Sequence, residues 1–288
     1  MSALMKGTRL ALRLPLFVMF LVICLVSVLL IRLLDLCRHR PVNRTPLARI
    51  YLAGLCRLLG LRIRVRGTPA SSTALLVSNH ISWLDIAVLG GAIPVRFLAK
   101  REVARWPLIG WLAQDIGTLF IQRGGGQSAQ VREQIAQALY QDQKVLIFPE
   151  GTTSNGQQVL PFHGRLLQAA ADADRPIQAV TLAYMRKGVT DPVVPFIGED
   201  SFQVHLIKLL ANPPAQVELI FHPPLLPSPA ASNDQLADIL HLQVARGLTE
   251  LLAESVPKEL QHPAPKPGGH SPGWCSAHHG NNPPGSRS

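Results

Sequence analysis

Residues 74–85 read ALLVSNHISWLD, and this stretch indicates the fold class. Ala74 to Val77 is a short apolar run, as expected for a strand buried on both faces. Polar side chains follow it directly, and Asp85 falls in the first turns of the helix that we predict next. Such strand ends are where α/β sheets usually place their binding and catalytic groups.

Further strands and helices alternate along the chain. Between residues 61 and 66, aliphatic residues alternate with arginines, which predicts a half-exposed strand. We predict other strands over 95–99, 118–121, 144–148, 176–184 and 217–221, and helices over 128–141, 166–173 and 233–254. This alternation predicts an α/β domain with a mostly parallel sheet flanked by helices.

An apolar segment near the N-terminus predicts a membrane anchor. Leu14 to Ile31 holds 18 residues without a charge, close to the roughly 20 that a spanning helix needs. No small-residue cleavage site follows it, which favours a retained anchor over a signal peptide. Basic residues lie on both sides, so a spanning helix and a re-entrant helical hairpin both fit. Residues 45–61 read as an amphipathic interfacial helix, with a core helix as the alternative.

The charge distribution indicates a membrane partner. The first 66 residues contain 12 of the 28 Lys and Arg residues but one of the 18 acidic residues, Asp35. Because this basic excess surrounds the apolar run, we predict attraction to anionic membrane lipids rather than nucleic acid. We expect the protein in the cell inner membrane, with its catalytic domain on the cytoplasmic face. The four cysteines show no disulfide pattern, as expected in a reducing compartment.

Three regions follow from these patterns. Residues 1–60 form the predicted membrane anchor and amphipathic helix, and residues 61–256 form the catalytic domain. Residues 257–288 contain seven prolines and five glycines with few aliphatic residues, which is typical of a disordered tail. Cys275, His278 and His279 lie close together there, but too few ligands are present for a metal site.

The spacing of His80 and Asp85 suggests a base and its orienting carboxylate. Histidine titrates near neutral pH and can take a proton from a hydroxyl group. A carboxylate on the other ring nitrogen fixes the tautomer and stabilises the imidazolium. The pair would not need a nucleophilic serine if a substrate hydroxyl attacked directly. This spacing is common, and a helix cap is the plain alternative for His80.

Two further segments carry candidate site residues. Phe148 to Thr152 reads FPEGT, where a buried strand ends in Glu150 and a glycine turn that allows close ligand approach. Gly117 to Arg123 reads GTLFIQR, a strand that delivers one arginine, whose planar fork suits phosphate oxygens. Taken alone, an ordinary turn and a solvated arginine would explain these two segments.

Taken together, the three segments resemble the 1-acylglycerol-3-phosphate acyltransferase family, the PlsC-like lysophospholipid acyltransferases. Residues 79–85 match its NHxxxxD block, residues 117–123 its second block and residues 148–152 its FPEGT block. Their order and separations also fit. The resemblance covers roughly residues 62–226 and implies an O-acyltransferase of phospholipid biosynthesis.

The resemblance implies roles for individual residues. His80 would be the general base and Asp85 its orienting partner. The substrate-binding residues would be Asn79, Arg123, Glu150, Gly151 and Thr152, with Arg123 on the phosphate of the acceptor. The acyl donor would be an acyl carrier protein or coenzyme A thioester, and the acceptor 1-acyl-sn-glycerol-3-phosphate, giving phosphatidic acid. No metal and no bound cofactor are implied.

Two departures leave room for another acceptor. Thr153 stands where many family members have arginine, and residues 177–180 replace a proline-containing strand. A lyso-ornithine lipid, which lacks the phosphate, is the alternative acceptor. A non-catalytic lipid-binding membrane protein is the alternative from another class, although His80 and Asp85 argue against it. A thioester hydrolase would normally bring its own nucleophile, and no GxSxG motif occurs.

Overall fold

The fold is described from a computed structural model. It describes residues 3–255, apart from short gaps at 38–41, 43, 107–108, 123–127, 199 and 229–231. The predicted tail over residues 257–288 therefore lies outside the described residues.

The strands of the described chain form one sheet. They are β1 Arg62–Gly67, β2 Leu75–Ser78, β3 Arg96–Lys100, β4 Leu119–Ile121, β5 Val145–Ile147, β6 Ile177–Arg186, β7 Val189–Thr190 and β8 Gln216–Phe221. Their order across the sheet is β1-β8-β6-β2-β5-β3-β4, with β7 paired to β6.

The sheet is mostly parallel, as predicted, with one reversal. Strands β6, β2, β5, β3 and β4 run in the same direction. Strand β8 is antiparallel to β6 and parallel to the edge strand β1. The predicted alternation of β1 is incomplete, because Val65 is exposed in this edge strand.

Helices cover both faces of the sheet. They are α1 Ala3–Leu36, α2 Thr45–Leu59, α3 Leu84–Ala92, α4 Ile109–Asp115, α5 Ser128–Tyr140, α6 Gln168–Asp172, α7 Phe202–Ala211 and α8 Asn233–Ser255. One apolar core joins the sheet to α2, α3 and α7, and a second joins it to α5, α6 and α8. The mostly parallel sheet flanked by helices is therefore confirmed.

Several local predictions need correction. The single helix predicted over 166–173 is a 3₁₀ turn, Gly164–Leu166, followed by the shorter α6. Helices α4 and α7 and the short β7 were absent from the sequence prediction. Helix α1 extends well beyond the uncharged run, since lysine and arginine also favour helix at its flanks.

The first two helices pack on the α/β domain. Helix α2 lies against α3, and Gly91 allows this approach because a Cβ there would lie 2.9 Å from the backbone nitrogen of Ala53. Cys56 and Leu59 of α2 are buried in the core. Helix α2 of the predicted anchor region is therefore packed on the predicted catalytic domain.

Helix α1 is long and apolar enough to cross a membrane, with an 18-residue window of mean hydropathy 3.1. One stripe of this helix faces the domain along its length. Arg13 Nη1 donates to the carbonyl oxygens of Leu210 (3.4 Å) and Asn212 (3.0 Å). Nineteen residues later, Arg32 Nε lies 2.8 Å from the Asp115 carboxylate. The domain thus contacts α1 at both ends of the apolar run.

Candidate active site

The sheet brings the first and third sequence segments together. Strands β2 and β5 are parallel neighbours in which Val77 pairs with Ile147. His80 and Glu150 each follow three residues later, so both emerge at the carboxyl edge of the sheet. This edge is the place predicted from the sequence for the chemically active residues.

His80 and Asp85 form the predicted pair. His80 Nδ1 lies 2.7 Å from Asp85 Oδ2, and the carboxylate is fully buried. The imidazole stacks on the Phe148 ring, with centroids 4.0 Å apart and planes 13° apart. Nε2 has no hydrogen-bond partner among the described residues. The geometry suits a histidine whose Nδ1–H is held by a carboxylate while Nε2 accepts a proton.

Asp85 is held by three further donors. The backbone N–H groups of Ile81 and Ser82 donate to Oδ2 at 2.6 and 3.0 Å, and the Tyr184 hydroxyl donates to Oδ1 at 2.8 Å. Several donors stabilise the charged form of a buried carboxylate. The two backbone contacts hold the turn that leads into α3, whose own N-cap residue, Trp83, makes no side-chain capping bond.

Tyr184 was absent from the sequence-based candidates. It lies on β6, 99 residues from Asp85, and its ring is buried. Burial, together with the Asp85 charge, raises the pKa of Tyr184 well above its usual value, so the phenol remains a donor. No local pattern links the two residues, since the contact arises from the pairing of β2 with β6.

The Asn79 side chain binds the backbone of β6. Its Nδ2 donates to the Leu182 carbonyl at 2.8 Å, and its Oδ1 accepts from the Leu182 N–H at 2.8 Å. Asn79 is fully buried and does not line the cavity described below. The substrate contact predicted for Asn79 stays a prediction; in the structure its amide extends the β2–β6 pairing directly before His80.

Glu150, Gly151 and Thr152 line a cavity together with His80. Gly151 adopts a left-handed conformation (φ 68°), which turns the chain after Glu150. Glu150 is 4% exposed, and neither of its carboxyl oxygens has a hydrogen-bond partner among the described residues. The structure therefore brings these three predicted residues to the site.

Burial raises the pKa of Glu150 to about 8. The nearby Asp85 charge acts in the same direction, while backbone groups of Leu160 and His80 oppose it. A carboxylate costs free energy when it is buried without full hydrogen bonding, so the proton is retained. Glu150 is thus largely a neutral carboxylic acid at neutral pH, able to donate a hydrogen bond.

This pKa predicts a pH dependence of stability. Between the ordinary value of 4.5 and about 8, the folded state binds a proton at Glu150 that the unfolded state releases. The free energy of unfolding therefore falls as pH rises through this window. We expect Glu150→Gln to remove this dependence, so the melting temperature of the variant should exceed that of the wild type increasingly towards pH 8. A constant difference across the window would contradict the neutral state of Glu150.

Backbone contacts tie the FPEGT segment to the histidine loop. The Ser154 N–H donates to the His80 carbonyl at 2.8 Å, and the Phe196 N–H donates to the Ile81 carbonyl at 3.0 Å. Thr153, where many relatives of this pattern have arginine, donates its hydroxyl proton to the Phe196 carbonyl. Thr153 therefore joins the FPEGT segment to the loop at Phe196, and it offers no positive charge to a ligand.

Arg123 lies outside the described residues, so its predicted phosphate contact stays a prediction. Strand β4 ends at Ile121 on the same edge of the sheet, three strands from β2. With neighbouring strands about 4.8 Å apart, that end is about 14 Å from the end of β2. Lys100 and Arg165 are described cationic residues that line the cavity. Arg44 also lines it but is ion-paired with Asp35 and Asp115.

The site opens into a large apolar cavity of about 1830 Å³. Its walls extend from His80 and Glu150 to helices α1 and α2, which contribute Phe17, Phe20, Leu21, Cys24, Val28, Leu47, Tyr51, Leu52 and Leu55. A typical ligand pocket measures roughly 300–1,000 Å³. The size and apolar lining suit a long hydrocarbon chain with its polar end at His80.

Comparison with known proteins identifies related sequences. The model of the acyltransferase family matches residues 62–183. The lyso-ornithine lipid O-acyltransferase of Pseudomonas aeruginosa is 43% identical over 194 residues, covering 67% of this chain and 75% of that protein. The 1-acyl-sn-glycerol-3-phosphate acyltransferase of Neisseria meningitidis is 36% identical over 148 residues, covering 51% of this chain and 56% of that protein.

The fold is similar to that of a solved structure. The PlsC 1-acyl-sn-glycerophosphate acyltransferase of Thermotoga maritima superposes with a TM-score of 0.60 at 20% identity, covering 85% of this chain and 98% of that one. This similarity concerns the fold and includes most of the described helices and strands. The resemblance inferred from the three sequence segments is thus confirmed at the level of the family and the fold.

Proposed function

Because this chain belongs to the acyltransferase family, we propose that it transfers a fatty acyl group from a thioester to the free hydroxyl of a lysophospholipid. The observation that carries the proposal is the His80–Asp85 pair, 2.7 Å apart at the wall of a long apolar cavity. A base beside a hydrocarbon-lined cavity is what acyl transfer to a lipid hydroxyl requires.

The proposed reaction has two steps. The acceptor hydroxyl oxygen attacks the thioester carbonyl carbon while His80 Nε2 takes the hydroxyl proton. Asp85 stabilises the imidazolium through Nδ1–H. The carbon–sulfur bond then breaks, and the imidazolium returns the proton to the departing thiolate. The products are an ester and a thiol. No metal or bound cofactor takes part in this scheme.

Glu150 is placed to assist in the same cavity. As a neutral acid it can donate a hydrogen bond either to an acceptor hydroxyl or to the oxygen that becomes negative during attack. Gly151 leaves room for close approach of the lipid backbone to the turn. We propose that both residues bind the acceptor, with Thr152 exposed at the same turn.

The acyl donor is proposed to be an acyl carrier protein thioester or a coenzyme A thioester. Its thioester would lie next to His80, and its hydrocarbon chain would run between α1 and α2. The apolar lining of that part of the cavity supports this placement. Purified protein given the two thioesters with the same acyl chain should show which carrier it uses, and the acylated product can be identified by mass.

We propose 1-acyl-sn-glycerol-3-phosphate as the acceptor, with phosphatidic acid as the product. The Arg123 position after β4 supports it, because arginine can bind a phosphate with two parallel hydrogen bonds. Lys100 and Arg165 add positive charge at the cavity wall. The direct test supplies this lysolipid to the protein in bilayers and measures phosphatidic acid by mass.

A lyso-ornithine lipid is the second candidate acceptor. The similarity to acyltransferases named for that substrate extends over more of this chain than the similarity to the glycerophosphate enzyme of Neisseria. Thr153 also supports it, since its hydroxyl is bound to Phe196 and supplies no phosphate ligand. Equal amounts of both lysolipids, offered together, would rank the two acceptors by their kcat/KM.

The Arg123→Ala substitution tests the phosphate contact. Loss of a hydrogen bond to a charged group costs roughly 1.5–3 kcal/mol, so we expect the KM for 1-acyl-sn-glycerol-3-phosphate to rise about ten- to a hundredfold. The KM for the thioester should change much less. Arg66→Ala provides the control, because Arg66 on the edge strand β1 pairs with Glu254 of α8 and does not line the cavity.

Two results would count against phosphate binding by Arg123. One is an unchanged acceptor KM in a folded Arg123→Ala protein. The other is a phosphate-free lysolipid used as efficiently as the phosphate-containing one, which would favour the lyso-ornithine lipid instead.

We propose that α1 lies within one leaflet of the inner membrane and that the catalytic domain is on the cytoplasmic face. The distance from Arg13 to Arg32 along the helix is about 28 Å, close to the thickness of the hydrocarbon core. If α1 crossed this core, its contacts with Leu210 and Asp115 would lie on opposite sides of the membrane, although both residues belong to the same domain. The face of α1 away from the domain bears exposed aliphatic residues suited to lipid. Anionic headgroups would meet the basic residues beside the apolar run.

Labelling with a membrane-impermeant maleimide tests this topology. A Ser2→Cys variant carries one thiol before α1, and native Cys37 follows α1 and is exposed. With Cys275 replaced by serine, we expect both thiols to react in inside-out vesicles and neither in intact spheroplasts. If one thiol reacts from each side, α1 spans the membrane.

A further inference from the structure

Helix α7 is a short apolar helix with an uncovered aliphatic face. Its ten residues, Phe202–Ala211, include Val204 and Ile207, which are 52% and 48% exposed. Single exposed aliphatic residues are ordinary on soluble proteins. Val204 and Ile207 differ from such isolated residues because their helix lies beside the apolar helix α1.

Helix α7 packs beside the start of the apolar run of α1. The Arg13 guanidinium donates to the carbonyl groups of Leu210 and Asn212 at the C-terminal end of α7. At its other end, Phe202 and Leu206 line the same cavity as Phe17. Helix α7 is therefore at the level of the apolar segment of α1, beyond the basic residues that precede it.

The rotation of α7 is fixed by a buried histidine. His205 Nδ1 accepts a hydrogen bond from the Trp83 indole N–H at 3.0 Å, and Nε2 lies 2.9 Å from the Val193 carbonyl. Both ring nitrogens are thus occupied inside the domain. Turning the helix inward would break both bonds, so Val204 and Ile207 are held on the outside.

Two other exposed apolar residues lie near α7. Trp106 packs its ring 5.7 Å from that of Phe202, and Ile197 follows Phe196, whose ring is 5.2 Å from His205. Both Trp106 and Ile197 are exposed. Tryptophan is enriched where proteins meet the membrane interface, and a long lysine such as Lys208 can extend its charge to the headgroups.

We propose that the Val204 and Ile207 face of α7, with the exposed side chains of Ile197 and Trp106 nearby, inserts into the same lipid leaflet as α1. Helix α1 packs on α7 and also exposes aliphatic residues close in sequence to the Arg13 contact: Leu14, Leu16 and Val18. A second inserted element would fix the tilt of the domain on the bilayer, which one helix alone leaves free. The proposal rests on the proposed membrane position of α1.

A fluorophore that reports on lipid contact tests this placement. Full-length protein with Cys37 and Cys275 replaced by serine is labelled at Val204→Cys or Ile207→Cys. It is then reconstituted in phosphatidylethanolamine and phosphatidylglycerol vesicles, with or without nitroxide-bearing lipids. Met19→Cys on α1 is the lipid-facing reference. Ile239→Cys and Leu242→Cys on α8 match the exposure of the test positions on another helix.

We expect quenching by nitroxide lipids at positions 204 and 207 to be comparable to that at 19 and severalfold larger than at 239 and 242. Iodide in the aqueous phase should show the opposite order. If positions 204 and 207 behave like 239 and 242 while 19 remains quenched by lipid, the α7 proposal is overturned and the proposed α1 position stands. If position 19 is quenched by iodide and not by nitroxide lipids, both proposals fail.

Discussion

Replacing His80 with alanine is expected to lower the rate of acyl transfer by about 10²- to 10⁴-fold, the usual range for a positioned general base. A lipid hydroxyl is a poor nucleophile at neutral pH, so its proton must leave as it attacks the thioester. His80 is placed for this because Asp85 binds Nδ1 at 2.7 Å and leaves Nε2 for the substrate. The rate is measured with saturating thioester and lysolipid in bilayers.

The interpretation requires a folded variant. His80 stacks on Phe148, so the melting temperature of His80→Ala should be compared with that of the wild type. His163 is the competing base, since it also lines the cavity. A folded His80→Ala protein with near wild-type activity, together with a large loss in His163→Ala, would assign the proton transfer to His163 and disprove the proposed mechanism.

The second large effect is expected for Asp85→Asn. In a serine-protease triad, the corresponding change lowers kcat about 10⁴-fold by allowing the wrong histidine tautomer. Here Asp85 Oδ2 also accepts from the N–H groups of Ile81 and Ser82, so an amide would also weaken the turn before α3. The double variant His80→Ala/Asp85→Asn should be little slower than either single variant, because the two residues act as one unit.

Tyr184→Phe is the matched control for Asp85. It removes the hydroxyl donor to Oδ1 but leaves His80 and both backbone contacts in place. Loss of one hydrogen bond to a charged group costs roughly 1.5–3 kcal/mol, which we expect mainly in the free energy of unfolding. If Tyr184→Phe lowers the rate as much as Asp85→Asn, the loss reflects disturbance of the core rather than of the histidine tautomer.

Much of the site was predictable because its residues follow apolar strands. The apolar run before His80 and the one before Glu150 each indicated a buried strand, and polar groups at such ends meet at one edge of a parallel sheet. The pair of His80 and Asp85 was also predictable, since they lie five positions apart where a strand gives way to a helix. The order and spacing of the three segments indicated the family.

Other features were not predictable from local patterns. Helix α7 is apolar at most positions, and a short run of this kind does not distinguish helix from strand. The reversal of β8 relative to β6 depends on how distant strands pair. Asn79 belongs to the histidine segment, yet its side chain binds Leu182, 103 residues away.

The sequence by itself determined the strand-end positions of His80 and Glu150, the apolar run of α1 and the family. Periodicity, charge and spacing within short segments carry that information. The tertiary structure decided that Tyr184 holds Asp85, that His205 fixes α7 and that α1 lies along the domain. Tyr184 is 99 residues from Asp85, His205 is 122 residues from Trp83, and Asn212 is 199 residues from Arg13. Such contacts are set by the packing of the sheet and its helices, because only the folded chain brings these side chains within hydrogen-bond distance.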